Sequence, residues 1–207
     1  MKPTKDTYFF FQEAYDFYNE FLFNNELPGC VITLQRKKNC AGYFHGDTWK
    51  SDISETLSDE IALNPDTFES RSNHIVLSTL VHEMLHLKQH HFGNPSRTGY
   101  HNKQWARYME DVGLMPSSTG EEGGKKTGQK MTHYIIPGGK FEEVTKVLLD
   151  RGYTIPWKFI FEDAEKSKKK RASKTKYTCP DCGLNAWGKP DIDIICGSCE
   201  VALIADS

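Results

Sequence analysis

Two histidines four residues apart, His82 and His86, with Glu83 beside the first, have the types and spacing to hold a divalent ion and use it. On an α-helix this spacing puts both imidazoles on one face, a turn apart, with the carboxylate next to them. Neutral imidazoles bind zinc without cancelling its charge. The carboxylate can then take a proton from a water whose pKa the metal lowers to about 7. His82-Glu83-Met84-Leu85-His86 is thus the H-E-x-x-H arrangement of zinc hydrolases. The alternative is an accidental pentapeptide on a core helix, which residue frequencies allow in under about 1% of chains of this length.

The motif needs a helix and a third ligand. Ser72 or Asn73 can cap a helix start, Val76, Leu77, Leu80, Val81 and Leu85 supply an apolar face, and Gly93 with Pro95 supplies the stop. Catalytic zinc takes three protein ligands and leaves one position open, and His90, His91 and His101 are the candidates downstream. His90 continues the motif's face, but at 1.5 Å rise per residue it lies roughly 9 Å along the axis from the midpoint of the pair. His101 is favoured: it opens a second amphipathic stretch carrying Trp105, Tyr108, Met109 and Val112, and Gly93, Pro95 and Gly99 let the chain return. His90 and His91 are expected as solvated histidines at the helix's negative end, and His45 and His74 as surface residues.

A second ligand set lies near the C-terminus. Cys179-Pro180-Asp181-Cys182 and Cys196-Gly197-Ser198-Cys199, separated by thirteen residues, fit a four-cysteine zinc ribbon, with an iron cluster as the alternative. So small a unit cannot fold on its apolar area, and metal must supply stability of order 10 kcal/mol. Two zinc sites, one catalytic and one structural, are therefore expected. Cys30 and Cys40 could form a redox pair, but buried thiols suit a reducing compartment better.

The residues around the histidine motif resemble the SprT-like metalloproteases, the group that includes Spartan. The resemblance rests on His82 to His86, Gly99-Tyr100-His101 and Trp105, and extends upstream to Glu13-Ala14-Tyr15-Asp16-Phe17-Tyr18, Leu27-Pro28, Ala41-Gly42-Tyr43-Phe44 and Ile61-Ala62-Leu63-Asn64-Pro65. Asn102 stands where the family is expected to have glycine, and asparagine also tolerates positive φ. The resemblance implies an α+β, zincin-like core: N-terminal helix, small antiparallel sheet, metal helix and second ligand helix. It also implies that the sheet edge pairs with an extended substrate, and that the substrate is protein bound on or attached to DNA.

Taken in order, residues 6–24 carry an aromatic stripe (Tyr8, Phe11, Tyr15, Tyr18, Leu22) that reads as a core helix. Residues 30–35, 41–49 and 60–63 read as strands of an antiparallel meander. The expected divisions are a protease domain over 1–118, a linker and small β-α-β-like unit over 119–165, and a basic segment with the ribbon over 166–207. The middle unit carries no motif; Tyr134 could reach the active site only if it packs on the core.

Charge is uneven. The chain is near neutral overall, at −2, which argues against a generic polyanion binder. Residues 166–176 nevertheless hold seven basic side chains and no acidic one: Lys166, Lys168, Lys169, Lys170, Arg171, Lys174 and Lys176. Such a run is a solvated linker by default. Next to a ribbon, with Tyr177 and Trp187 available for base stacking, it is also a nucleic-acid contact, with DNA the expected partner. Zinc ribbons serve as protein docking units too. No secretory h-region and no apolar run of about 20 residues occur, so a soluble intracellular protein, cytoplasmic or nucleoid-associated and without a membrane partner, is expected.

The favoured function is a zinc endopeptidase with Glu83 as general base. One rival is a non-enzymatic DNA-binding or transcription-associated zinc protein; the other is a peptidase docked to a protein target by its ribbon. Glu83 discriminates against the first, because a structural zinc has no use for a carboxylate beside an open position.

Overall fold

The computed structural model describes residues 2–158 and 174–206. The chain divides into two units, residues 1–160 and 161–207. The first is a mixed assembly of helices and small sheets, of the expected α+β class, and the described residues of the second form one small sheet.

In the first unit, helix α1 (Pro3–Phe23) begins at a proline, whose missing N–H costs nothing in the first turn. It ends at Asn24, left-handed at φ 54°. Its buried face is Phe11, Ala14, Tyr15, Tyr18 and Leu22, as the stripe predicts, but Tyr8 lies largely in solvent. Three strands follow: β1 (Val31–Leu34), β2 (Gly42–Lys50) and β3 (Leu57–Leu63).

The sheet order is β1-β3-β2, with β1 parallel to β3 and only β2 antiparallel to it, so the expected antiparallel meander is corrected. The reason is burial. Residues 59–63 of β3 are all buried, so this strand takes the centre and pairs on both sides. Strand β2 is left at the edge, with a register shift between His45 and Trp49 where Asp47 turns left-handed at φ 52°.

Helix α2 (Asn73–Phe92) crosses this sheet. Ser72 caps it by accepting the Ile75 N–H, and Val76, Leu77, Leu80, Val81, Met84, Leu85 and Leu87 go fully into the core. At roughly 1.5–3 kcal/mol per buried side chain, this face is what anchors the motif.

Helix α3 (Lys103–Asp111), strand β4 (Leu114–Ser117), strand β5 (Thr132–Ile135) and helix α4 (Lys140–Asp150) complete the unit. The expected boundary at residue 118 does not separate two packing units. Strand β5 pairs antiparallel with β4, and Phe141 of α4 stacks on Tyr18 of α1 at 5.7 Å while Thr145 hydrogen-bonds the Tyr18 hydroxyl at 2.8 Å. The strand and helix of the expected β-α-β-like unit are present. The residues after Tyr153, as far as they are described, form no strand.

The second unit is a three-stranded sheet ordered β7-β6-β8, made of β6 (Thr175–Thr178), β7 (Asn185–Gly188) and β8 (Ile204–Ala205). Among the described residues its core is Tyr177, Cys179, Cys196 and Leu203 with a few partly buried neighbours. Among the described residues no helix is long and apolar enough to cross a membrane.

Candidate metal centres

His82 and His86 face the same way from α2, as helical spacing requires, with ring centroids 5.3 Å apart. His101 comes to them from the segment before α3, its ring 4.8 Å from His86 and 5.7 Å from His82. One nitrogen from each of the three rings falls within 4.8 Å of the others, so this set can hold one ion. Trp105 of α3, fully buried, backs all three rings at 4.4–5.3 Å and lies nearly parallel to His86.

Asn102 explains how His101 is placed, and the expectation attached to it is corrected. Its φ is −90°, not positive. It is the N-cap of α3, with Oδ1 accepting the N–H of Gln104 and Trp105 at 3.0 Å each. Its value lies in capping, so His101 sits just outside the helix and not on its first turn.

Two of the rings, those of His82 and His101, are also oriented from behind. The Ser78 hydroxyl donates to the Ile75 carbonyl at 2.9 Å, so its oxygen accepts from His133 Nε2, also at 2.9 Å. That leaves His133 Nδ1 as an acceptor, 3.0 Å from His82 Nδ1. His82 therefore donates from Nδ1 and keeps Nε2 free for the metal. His101 does the same with a backbone partner: its Nδ1 lies 3.2 Å from the Gly128 carbonyl, and the two residues exchange backbone hydrogen bonds. Fixing the ring tautomer in this way is how outer partners tune metal ligands.

His133 and Gly128 were not visible as functional positions in the sequence. One lies on a short strand and the other in a Gly-, Ser- and Lys-rich stretch that reads as a linker, and neither has a spacing signal. The structure makes that linker part of the site.

Burial keeps the imidazoles in the neutral, metal-ready form. It takes His86 down to about 3 and His133 to about 4, holds His82 well below its ordinary value, and lowers His101. Glu83 goes the other way, its carboxyl raised to about 8 by burial. Gly42 on β2 makes room for it: a Cβ there would meet Glu83 Oε1, the Ala62 carbonyl and Thr79 at 3.0 Å each.

The three histidines and Glu83 open onto a cleft of about 1510 Å³ whose walls include Tyr43, Arg71, Tyr100, Met131 and Tyr134. Three residues that could hold one ion, a carboxylate beside them and room for a substrate are the parts a hydrolytic metal site needs.

The profile of the SprT-like family matches residues 11–130, a span that includes α1, the sheet, all three histidines, Glu83 and Gly128. The chain belongs to the SprT-like family. That membership carries a metalloprotease-type domain. A curated relative, an uncharacterised protein of Salmonella typhimurium encoded in the mucB 3′ region, is 63% identical over 41 residues. The match covers 20% of this chain and 55% of that protein, so the chain spans about half the length of the curated relative it matches.

Of the other histidines, His90, His91 and His74 depart from expectation and His45 does not. His90 and His91 are not free: His90 Nε2 lies 3.1 Å from Asp47 Oδ2, and His91 Nε2 lies 2.6 Å from Asp59 Oδ2. His74 is half-buried against Phe141 and not on the surface, whereas His45 is exposed. Cys30 and Cys40 are unpaired thiols, and burial pushes Cys30 up to about 12.

The four cysteines converge as the paired spacing predicts. All four Sγ atoms lie within 4.8 Å of one another, and Cys182 and Cys196 approach to 3.7 Å. Zn–S bonds of about 2.3 Å in a tetrahedron put sulfurs about 3.8 Å apart, so the set is compatible with zinc.

The two knuckles share a backbone design. Cys179 exchanges hydrogen bonds with Gly183 and Leu184, and Cys196 does so with Glu200 and Val201. The residue four beyond each first cysteine is left-handed, Gly183 at φ 73° and Glu200 at φ 55°. Thiol crowding shows in Cys199, raised to about 12 chiefly through its contact with Cys182. The Cys199 and Ser198 backbone N–H groups hold Cys196 down to about 7.

Of the predicted nucleic-acid residues, Lys168, Lys169, Lys170 and Arg171 lie outside the described residues. Lys174 is exposed, and Lys176 pairs with Asp206 at 2.7 Å. Tyr177 is corrected as a stacking residue. It is 3% exposed and its hydroxyl donates to the Lys189 carbonyl, while Trp187, opposite Lys176 on β7, is 62% exposed.

Proposed function

We propose that this chain is a zinc-dependent endopeptidase of SprT-like type that acts on proteins bound or crosslinked to DNA. The observation that carries the peptidase reading is the convergence of His82, His86 and His101 beside Glu83 on an open cleft. A zinc ion held by the three imidazoles supplies Lewis acidity toward a water and toward the scissile carbonyl. Glu83 accepts the proton of the attacking water and delivers it to the leaving amine. His133 and Gly128 keep the two ring nitrogens aimed while this happens.

Strand β2 supports a mode of substrate binding. It pairs with β3 on one side only, and residues 42–45 line the cleft next to Glu83. An extended polypeptide added to this edge would be held by its backbone, with weak side-chain selectivity. The four cysteines hold a second, structural zinc.

The DNA part of the reading rests on the basic run of residues 166–176 and on the exposed Trp187 beside Lys176. An indiscriminate peptidase is best controlled by concentrating it at its targets, and a polyanion tether does so. Each phosphate contact releases counterions, with a log-log salt slope of about −0.7 to −0.9 per contact. With about four cations engaged, affinity should fall roughly 50- to 150-fold over a fourfold rise in salt.

The experiment is a cleavage assay on a DNA-binding protein with and without single- and double-stranded DNA, paired with oligonucleotide binding at two salt concentrations. DNA should stimulate cleavage, and changing Lys168, Lys169, Lys170 and Arg171 together to Ala should remove the stimulation while leaving both zinc sets filled. Equal, salt-insensitive binding by both proteins, or none by either, favours a ribbon that docks a protein partner. Binding without any proteolysis favours the non-enzymatic rival.

A further inference from the structure

The C-terminal end of α2 carries a second histidine cluster that peptide-bond hydrolysis does not use. His90 and His91 are consecutive, and adjacent residues on a helix point about 100° apart. Their rings nonetheless turn toward one carboxylate, that of Asp59 on β3, which is only 4% exposed. His91 Nε2 lies 2.6 Å from Asp59 Oδ2 and His90 Nε2 lies 3.9 Å from Asp59 Oδ1, and one ligand atom from each of the three falls within 4.8 Å of the others.

Two independent features of β2 build the space around this convergence. At the register shift Asp47 takes a left-handed backbone, which brings its N–H 2.8 Å from Asp59 Oδ1 and its carboxylate 3.1 Å from His90 Nε2. Next to it, Gly46 leaves room for the His90 ring, since a Cβ there would lie 2.6 Å from His90 Cε1. A strand bent at the one place where it faces His90, with a glycine against the ring and a carboxylate beside it, holds the donor set together.

We propose that Asp59, His90 and His91, with Asp47 placed to supply a fourth donor, form a further metal-binding position for a zinc-class divalent ion. Two imidazole nitrogens and carboxylate oxygens are the borderline donors such ions select, and calcium or magnesium would ask for oxygen ligands. Tetrahedral zinc sets N and O ligands about 3.3 Å apart, which lies between the 2.6 Å and 3.9 Å separations of Asp59 from His91 and His90. The ion would tie the end of α2 to the bulge of β2, the strand whose other half borders the catalytic cleft. His86 and His90 are one turn apart, so this position adjoins the catalytic one without sharing a ligand.

The test counts metal and does not depend on peptidase activity. Full-length protein is titrated with zinc against a chromophoric chelator and its content measured by elemental analysis, for wild type, His90→Ala, His91→Ala and Asp59→Asn. Wild type should bind one equivalent more than each variant, and raising zinc across that last equivalent should lift the melting temperature of wild type but not of His91→Ala. His91 is part-exposed, so its variant stays informative if the buried Asp59→Asn fails to fold. A wild type that saturates at the two equivalents of the histidine and cysteine sets, or a third that survives in both histidine variants, overturns the proposal and leaves an ion-pair network only.

Discussion

The histidine set and the cysteine set are both metal-ligand clusters, but they are assembled in opposite ways. The cysteines lie within 21 positions of one another, and local turns aim them: the backbone bonds at Cys179 and Cys196 close within five residues. The histidines are embedded in a core running from Phe11 to Ile155, and their orientation needs Gly128 and His133 from beyond β4. In the ribbon, the four core residues found among the described ones cannot offset the ordering of the chain, so an ion held by the cysteines is expected to make the fold. In the first unit the apolar core can form without an ion, whose proposed role there is chemical. Metal should therefore be a structural requirement in one region and a reagent in the other.

Chelation is the sharpest way to break that contrast. Stripping zinc should unfold the ribbon, a loss of order 10 kcal/mol, while residues 1–158 keep their helices. Circular dichroism and hydrogen exchange of the chelated protein check this, and cooperative collapse of both units would end the distinction.

Glu83→Gln should abolish proteolysis with zinc content unchanged if Glu83 has the proposed role on the water and is no ligand. His101→Ala should instead remove one equivalent and leave the ribbon's. Metal loss in Glu83→Gln would reverse the role given to that residue.

A smaller effect should come from the orienting shell. His133→Ala should weaken the catalytic zinc by about 10- to 100-fold, the usual cost of losing an outer partner. The ribbon zinc serves as an internal reference in the same competition titration, and unchanged affinity would make His133 a packing residue.

The smallest concerns the cap that places His101. Asn102→Ala should cost about 1 kcal/mol of stability, with a modest loss of catalytic metal, read by denaturant unfolding with and without zinc. An effect on the ribbon's melting would show that the two units are coupled.

What the sequence determined by itself was whatever repeats at short range. Helical spacing put His82, Glu83 and His86 on one face, the cysteine pairs placed four thiols together, and the aromatic stripe of residues 6–24, with Phe21 on its widened face, marked a core helix, although Tyr8 and Phe21 are exposed. Element types from 132 to 150 were legible for the same reason.

Tertiary structure decided the pairings between distant segments, because no local pattern encodes them. The strand periodicity of residues 31–34 is satisfied equally by a parallel or an antiparallel neighbour, and the structure pairs it parallel to β3. Likewise the Gly-rich stretch ending at Gly128 carries no periodicity, yet its carbonyl fixes a ligand. His91 looked like a solvated helix end until Asp59 on β3 met it at 2.6 Å. Each of these contacts is set by where packing of apolar faces brings the backbone, a long-range outcome of the whole core.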